Sequence, residues 1–367
     1  MADMVETGAV TGEAAWHRKS VVIPRGDAAT QNVRQYMAIG GMDWTALERP
    51  LYTTRPAEDP AGEDLVIEAS EHKALVRDFD GKVLSVMSED YAMGRHGEIF
   101  DLLQPLLDQG VLSELVSIGS LRGGKTFYLQ ARYGAPAEVA PGDVIEPFLT
   151  LAGSYDGTLS QRIMDGKIRV VCMNTLRAAG AWKYLIVDGD TKTEDGWSIP
   201  HRGDLMAKVA AAVAEIAMLR EQFGLSVRFF RRLSTMPMTE PVLRGIAEVL
   251  FGDEQDKLRR QLAKLRQAQE MAPQKVRPET EALIAQIEAE LQKPNQAVEG
   301  VVASFHNGPG HKMAGETAWG GLNAITHYID HGKRGNADSR LHSAWFGEGA
   351  NQRKKAMALF GEMAGAL

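Results

Sequence analysis

The densest run of chemistry-bearing letters is Gly119-Ser120-Leu121-Arg122-Gly123-Gly124-Lys125-Thr126, which fits the nucleotide-binding pattern G-x-x-x-x-G-K-[ST]. In such a loop backbone N–H groups cradle phosphates, the lysine (Lys125) reaches the terminal phosphates and the threonine (Thr126) holds magnesium. The apolar run Tyr184-Leu185-Ile186-Val187-Asp188 could pose as the second magnesium-holding strand. That chemistry requires the loop to open a helix, whose N-terminal field holds the phosphate. Thr126 is followed instead by Phe127-Tyr128-Leu129-Gln130-Ala131-Arg132-Tyr133, which alternates as a strand does and stops at Gly134 and Pro136. Too few residues remain for the helix of a strand–helix–strand unit. The run therefore predicts a hairpin turn in which Gly123 and Gly124 supply positive φ. A nucleotide-binding enzyme using Lys125 stands as an alternative.

Five of the nine histidines, His306, His311, His327, His331 and His342, fall in one late stretch. His327 and His331 are four apart on a predicted helix, so their rings share a face and could hold a metal together. A zinc-protease helix would need Glu after the first histidine, and Tyr328 stands there. The plainer reading is a polar helix face, with no metal and no cofactor. Cys172, the single cysteine, lies in Ile168-Arg169-Val170-Val171-Cys172, where a free thiol behaves as a small buried hydrophobe. One cysteine allows neither an internal disulfide nor a multi-cysteine zinc site.

Basic and aromatic residues interleave in two places. Tyr128 and Arg132, four apart on one strand, share a face, the pairing by which single strands are held: the ring stacks on bases and the guanidinium meets phosphate. Residues 157–185 add Arg162, Lys167, Arg169, Arg177 and Lys183 against Asp165 alone. Arg228-Phe229-Phe230-Arg231-Arg232 is the second cluster, with two phenylalanines that could equally be core. The whole chain is acidic, with a net charge of −7, which argues against coating duplex DNA by bulk basicity. The charge is uneven, about +2 over residues 114–185 against −9 over residues 1–113, so a local basic groove on an acidic protein is compatible with it.

These side chains must be positioned by an α+β framework. Residues 1–60, with Pro24, Pro50, Pro56 and Pro60, read as an irregular lead-in holding one short helix from Thr30 to Met37. Asp64 to Arg77 and Val83 to Met87 form a hairpin around Phe79-Asp80-Gly81-Lys82. Ile99, Leu102, Leu103, Leu106 and Leu107 recur at helical spacing before Gly110. Leu115–Leu121, Lys125–Tyr133 and Val144–Leu151 make an antiparallel meander, followed by a second helix around Asn174 to Ala179. Residues 61–200 are thus the α+β core. Residues 201–300 and 301–367 form a helical half, with helices at Leu205–Leu219, Glu240–Glu270, Glu279–Leu291, Ala318–His331 and Gln352–Ala364. The first residues are acidic and carry no secretory pattern, and no segment is long and apolar enough to span a bilayer. A cytoplasmic protein is expected.

Several runs carry a family resemblance: Ala15-Trp16-His17, Gly41-Met42-Asp43-Trp44 with Pro50-Leu51-Tyr52, and Val86-Met87-Ser88-Glu89-Asp90-Tyr91. So do Gly153-Ser154-Tyr155-Asp156-Gly157, Ile168 to Leu176 and Ser343-Ala344-Trp345-Phe346-Gly347. Together they resemble a phage/plasmid-like family of unknown function carried by bacterial mobile elements. The order helix, meander, basic helix is also similar to the core of single-strand annealing proteins of the ERF, RecT and Rad types. That likeness implies a homo-oligomer, ring or filament, that holds single-stranded DNA in a basic groove and anneals it without catalysis, alongside a phage nuclease. It maps onto the Lys125–Tyr133 strand and residues 157–183. A phage structural or host-interaction protein, using the acidic N-terminal third, is the remaining alternative.

Overall fold

The computed structural model describes residues 8–12, 20–57, 64–169, 174–176, 192–193, 196–199, 201, 204–214, 219–271, 278–333 and 337–365. The α+β reading holds: antiparallel sheets precede a helical half. The chain opens with β1 (Gly8–Thr11) and β2 (Val21–Ile23), then a 3-10 turn and α1 (Val33–Ile39), which Asn32 caps by accepting from the N–H of Gln35 at 2.8 Å. The segment read as irregular is thus structured: β1 joins the main sheet and β3 (Ala46–Arg55) pairs antiparallel with β4 (Leu65–Arg77). Pro50 hid that strand. It sits at a register shift on an edge strand, where a missing N–H breaks no ladder bond.

β5 (Val83–Ser88) completes a three-stranded sheet in the order β3-β4-β5. α2 (His96–Asp101) and α3 (Gln104–Asp108) follow, and Gly110, at φ 67°, turns the chain into β6 (Leu112–Leu121). β7 (Thr126–Tyr133), β8 (Ala137–Ala140), β9 (Asp143–Ser154) and β10 (Gln161–Arg169) continue the antiparallel run. β11 (Asn174–Leu176) pairs with β10, so a strand stands where the helix at Asn174 was expected; the rest of that expected helix lies outside the described residues. β12 (Lys192–Thr193) and β13 (Gly196–Ile199) close a ten-stranded sheet whose main path is β12-β13-β10-β9-β7-β6-β1-β2.

The helical half contains α4 (Leu205–Ala214), α5 (Leu219–Thr235), α6 (Glu240–Phe251), α7 (Asp253–Met271), α8 (Pro278–Leu291), α9 (Gln296–Asn307), α10 (His311–Ala314) and α11 (Ala318–His327). A π-helical turn (Tyr328–Gly332), α12 (Ala337–Phe346) and α13 (Glu348–Met363) complete it. The expected helix from Glu240 to Glu270 is broken at Gly252, a poor helix former. No helix among the described residues is long and apolar enough to cross a membrane.

Strand alternation gives the large sheet two faces. On the first, Phe127, Leu129, Ala131 and Tyr133 of β7 meet Leu149 and Leu151 of β9 and Ile163 of β10 in the main core. Ile99 and Phe100 of α2, Phe223, Val227 and Phe230 of α5 and Trp319 of α11 belong to that same core. On the second face Leu121, Tyr128, Ala152 and Met164 pack with Leu159 and with Ala344 of α12, flanked by Phe346. A buried ion pair pins α12 there: Arg353 of α13 donates to the Ala344 carbonyl at 2.7 Å and to the Asp330 carboxylate, both side chains being fully buried.

Candidate nucleic-acid interface

The β6–β7 connection is a tight turn over residues 122–125, and β7 begins at Thr126. Gly123 and Gly124 take φ of 74° and 87°, and Arg122 takes 55°, the one non-glycine residue with positive φ among those described. The run that matches a phosphate-binding loop therefore opens a strand, with no helix N-terminus beneath it. The carbonyl of Lys125 accepts from the N–H of Tyr155 at 2.7 Å, which fastens the turn to the end of β9.

At this corner the Arg122 guanidinium donates to the Thr158 hydroxyl at 2.8 Å and lies 3.2 Å from the Asp156 carboxylate. The N–H and hydroxyl of Thr158 donate to the other oxygen of Asp156. Burial alone would raise the Asp156 carboxyl; the Thr158 donors and the Arg122 charge outweigh it and hold the group below the usual carboxylate range. His342 of α12 faces the same corner. Its imidazole is pushed down by burial, then by the Arg122 and Arg162 charges, with Asp156 opposing. Arg122 and His342 thus meet at one carboxylate, with Arg162 close enough to act on His342 and the backbone of Lys125 in the adjoining turn.

The β4–β5 turn abuts the same place. A side chain at Gly124 would come within 3.3 Å of the Arg77 guanidinium. Arg77 in turn binds Asp80 at 2.9 Å, which holds that carboxyl down to about 2, and lies 4.6 Å from the Phe79 ring centroid. Phe79 is 67% exposed. An open aromatic ring beside a cationic corner is the pairing that single-strand binding uses.

The residues read from sequence as a DNA face are placed differently. Tyr128 has no exposed surface, and its hydroxyl accepts from Ser117 at 3.4 Å. Its outward orientation was read correctly, but α12 covers that face. Arg132 is clamped between Glu114 and Glu146, the latter at 2.6 Å, with its own charge offset twice over. Lys167 is buried against Asp165, whose other oxygen accepts from the Tyr133 hydroxyl. These three are structural, because each cation has spent its charge on an internal carboxylate and Tyr128 on packing. Among the described side chains of the seven, Arg162 stands at the cationic corner, near His342. Arg169 sits in the ladder opposite Ile145 and Asn174, and its side chain is outside the described residues, as are Arg177, Lys183 and Cys172. In the second cluster Phe230 is core against Trp319 at 5.0 Å, and Arg231 donates to the Glu138 carbonyl at 2.9 Å.

His327 and His331 do come together, with ring centroids 4.9 Å apart, and the Ser304 hydroxyl lies 3.1 Å from Nδ1 of His327. Among the described residues no group of three His, Cys, Asp or Glu forms a metal-binding set. His306 pairs with Glu240 at 2.9 Å, and His311 donates through Nδ1 to the Gly308 carbonyl at 2.9 Å. Sequence reasoning gave Arg122, Asp156, Thr158 and Phe79 no binding role, and read His342 with the histidine cluster instead of with this corner. The available signals were Arg122 inside the loop-like run and Asp156 inside the Gly153–Gly157 run.

Residues 83–356 match the family described as Domain of unknown function (DUF932), and the chain belongs to that family. No curated protein and no solved structure matches the chain.

Proposed function

We propose that this protein binds single-stranded DNA without catalysing a reaction, and that it works as a homo-oligomer in the recombination of a phage or other mobile element. The observation that carries the reading is the corner where Arg122 meets the Asp156 carboxylate beside His342 and Arg162, next to the β4–β5 turn with the exposed ring of Phe79. Arg122, Arg162 and Lys125 would neutralise phosphates, and Phe79 would take the stacking role that the buried Tyr128 is unable to fill. Lys125 would act as a backbone-phosphate contact instead of a nucleotide ligand, since Thr126 starts a strand. One such corner reaches only a short stretch of strand, so copies acting side by side give the affinity that annealing requires.

Binding of a fluorescent oligonucleotide across a salt series tests this. Arg122→Ala and Arg162→Ala are each expected to flatten the log–log salt slope by about 0.7, the value for one phosphate contact on a single strand. Phe79→Ala is expected to weaken binding by roughly 1–3 kcal/mol with the slope unchanged, because stacking releases no ions. Folded wild-type protein that binds no single strand at low salt would overturn the proposal.

A further inference from the structure

The outer part of the β3–β4 ribbon stands away from the core. Strand β5 accompanies β4 only from His72 onward, and the last bond on that side is Glu89 N–H to the Glu71 carbonyl. Before it, residues 65–68 of β4, the stretch in register with β3, have an edge with no partner strand among the described residues, about 13 Å long at ~3.3 Å per residue. The outer edge of β3 is equally without a partner strand among the described residues. The register sets Tyr52 and Val66 on one face of this ribbon and Leu65 and Ile67 on the other, all four 40% exposed or more. A two-stranded ribbon with both faces wet is marginal by itself, and an open apolar edge is a template for another strand.

Charge says which strand. β3 carries Arg49 and Arg55, its Glu48 being paired with Lys73, while the free stretch of β4 carries Glu68, with Glu71 following at the register shift; Arg49, Arg55, Glu68 and Glu71 are exposed and none forms an ion pair among the described residues. The ribbon thus has a basic edge and an acidic edge. Acidic residues along β4 disfavour nucleic acid as its occupant, and two-fold pairing, β4 on β4 or β3 on β3, brings edges of like charge together. Basic edge on acidic edge brings opposite charges together, one Arg–Glu pair directly opposite in a given register.

We infer that the β3–β4 ribbon joins copies of this chain head to tail, β3 of one copy lying antiparallel to β4 of the next. A heterologous contact of this kind closes into a ring or runs on as a filament. The inference rests on the single-strand reading for its use, an array of cationic corners along one strand, but the contact is measured without DNA. Either can therefore fail without the other.

The measurement is sedimentation velocity of the full chain over a concentration series at low and high salt. Wild type is expected to form species larger than a dimer that dissociate as salt screens the edges. E68K/E71K makes both edges basic and R49E/R55E makes both acidic, so each is expected to weaken self-association roughly tenfold or more. An equimolar mixture is expected to restore assembly, because every basic edge then meets an acidic one. All four positions are exposed, and unchanged thermal melting verifies that the variants fold; Val66→Thr, which removes exposed apolar surface, is a further variant expected to weaken assembly. A wild-type monomer at all soluble concentrations, a closed two-fold dimer, variants that assemble as wild type does, or a mixture that stays dissociated would each overturn the inference.

Discussion

Along β7, Phe127, Leu129, Ala131 and Tyr133 turn to one face of the large sheet and Thr126, Tyr128, Gln130 and Arg132 to the other. The first set is apolar and meets α2 and α5. The second is polar, yet Thr126, Tyr128 and Gln130 are as dry as their neighbours and Arg132 nearly so. The dryness is reached differently. On the apolar face area removed from water does the stabilising, and some of the few polar groups are individually satisfied. His96 is an example: its Nε2–H donates to the Met42 carbonyl at 2.9 Å, and Nδ1 accepts from the Tyr155 hydroxyl at 2.6 Å. On the polar face side chains pair in places, as Gln130 does in donating to Thr150 at 3.1 Å, and α12 is held over Tyr128 by Arg353 and Asp330. A polar strand face can be interior when a distant helix is pinned onto it.

The largest test of that contrast removes the pin. Asp330→Asn leaves the Arg353 charge buried without its counter-ion and is expected to lose about 3–5 kcal/mol in urea unfolding, with faster proteolysis around α12. Next, Tyr128→Ala and Phe127→Ala, one from each face, are expected to cost similar amounts, roughly 3–5 kcal/mol each. A loss below about 0.5 kcal/mol for Tyr128→Ala, the ordinary surface value, would restore the open-face reading.

The apolar face also carries a pH signature. Burial, aided by the Arg34 charge and opposed by the Met42 bond, lowers His96 to about 4 from 6.5. Between those values the unfolded chain binds more protons, so stability rises with pH. The contribution is full above pH 6.5 and is lost as pH falls toward 4, on the order of 3 kcal/mol in all. His96→Asn is expected to remove that slope from denaturation midpoints measured across pH 4 to 7. Smallest is Gly153→Ala. The added Cβ would fall 2.1 Å from the Gln161 side-chain amide, which must swing away, at a cost of about 1–3 kcal/mol in thermal unfolding.

Much of the fold was legible because its signals are local. The β4–β5 hairpin has its Asp-Gly turn, the β6–β7 hairpin its two glycines, and α2–α3 a leucine stripe ending at Gly110. Helix α9 was legible too and was passed over: Val298, Val301, Val302 and Phe305 recur at helical spacing. What depended on partners far along the chain was not. β1 is recognisable only by its pairing with β6, and β3 reads as loop because of Pro50. The site suffered most. Alternation correctly put Tyr128 and Arg132 on one face, but nothing near them announces that α12 lies over it or that Glu114 and Glu146 neutralise the arginine.

The Arg353–Asp330 pair has a bearing on how the molecule is made. A chain emerging from the ribosome folds from its N-terminal end, and strands β1 to β10 are all synthesised before residue 170. The clasp that seats α12 on them is not finished until Arg353 has followed. Through that interval Leu121, Tyr128 and Met164 have no lid, so the nascent sheet offers a chaperone the surface that the finished protein hides.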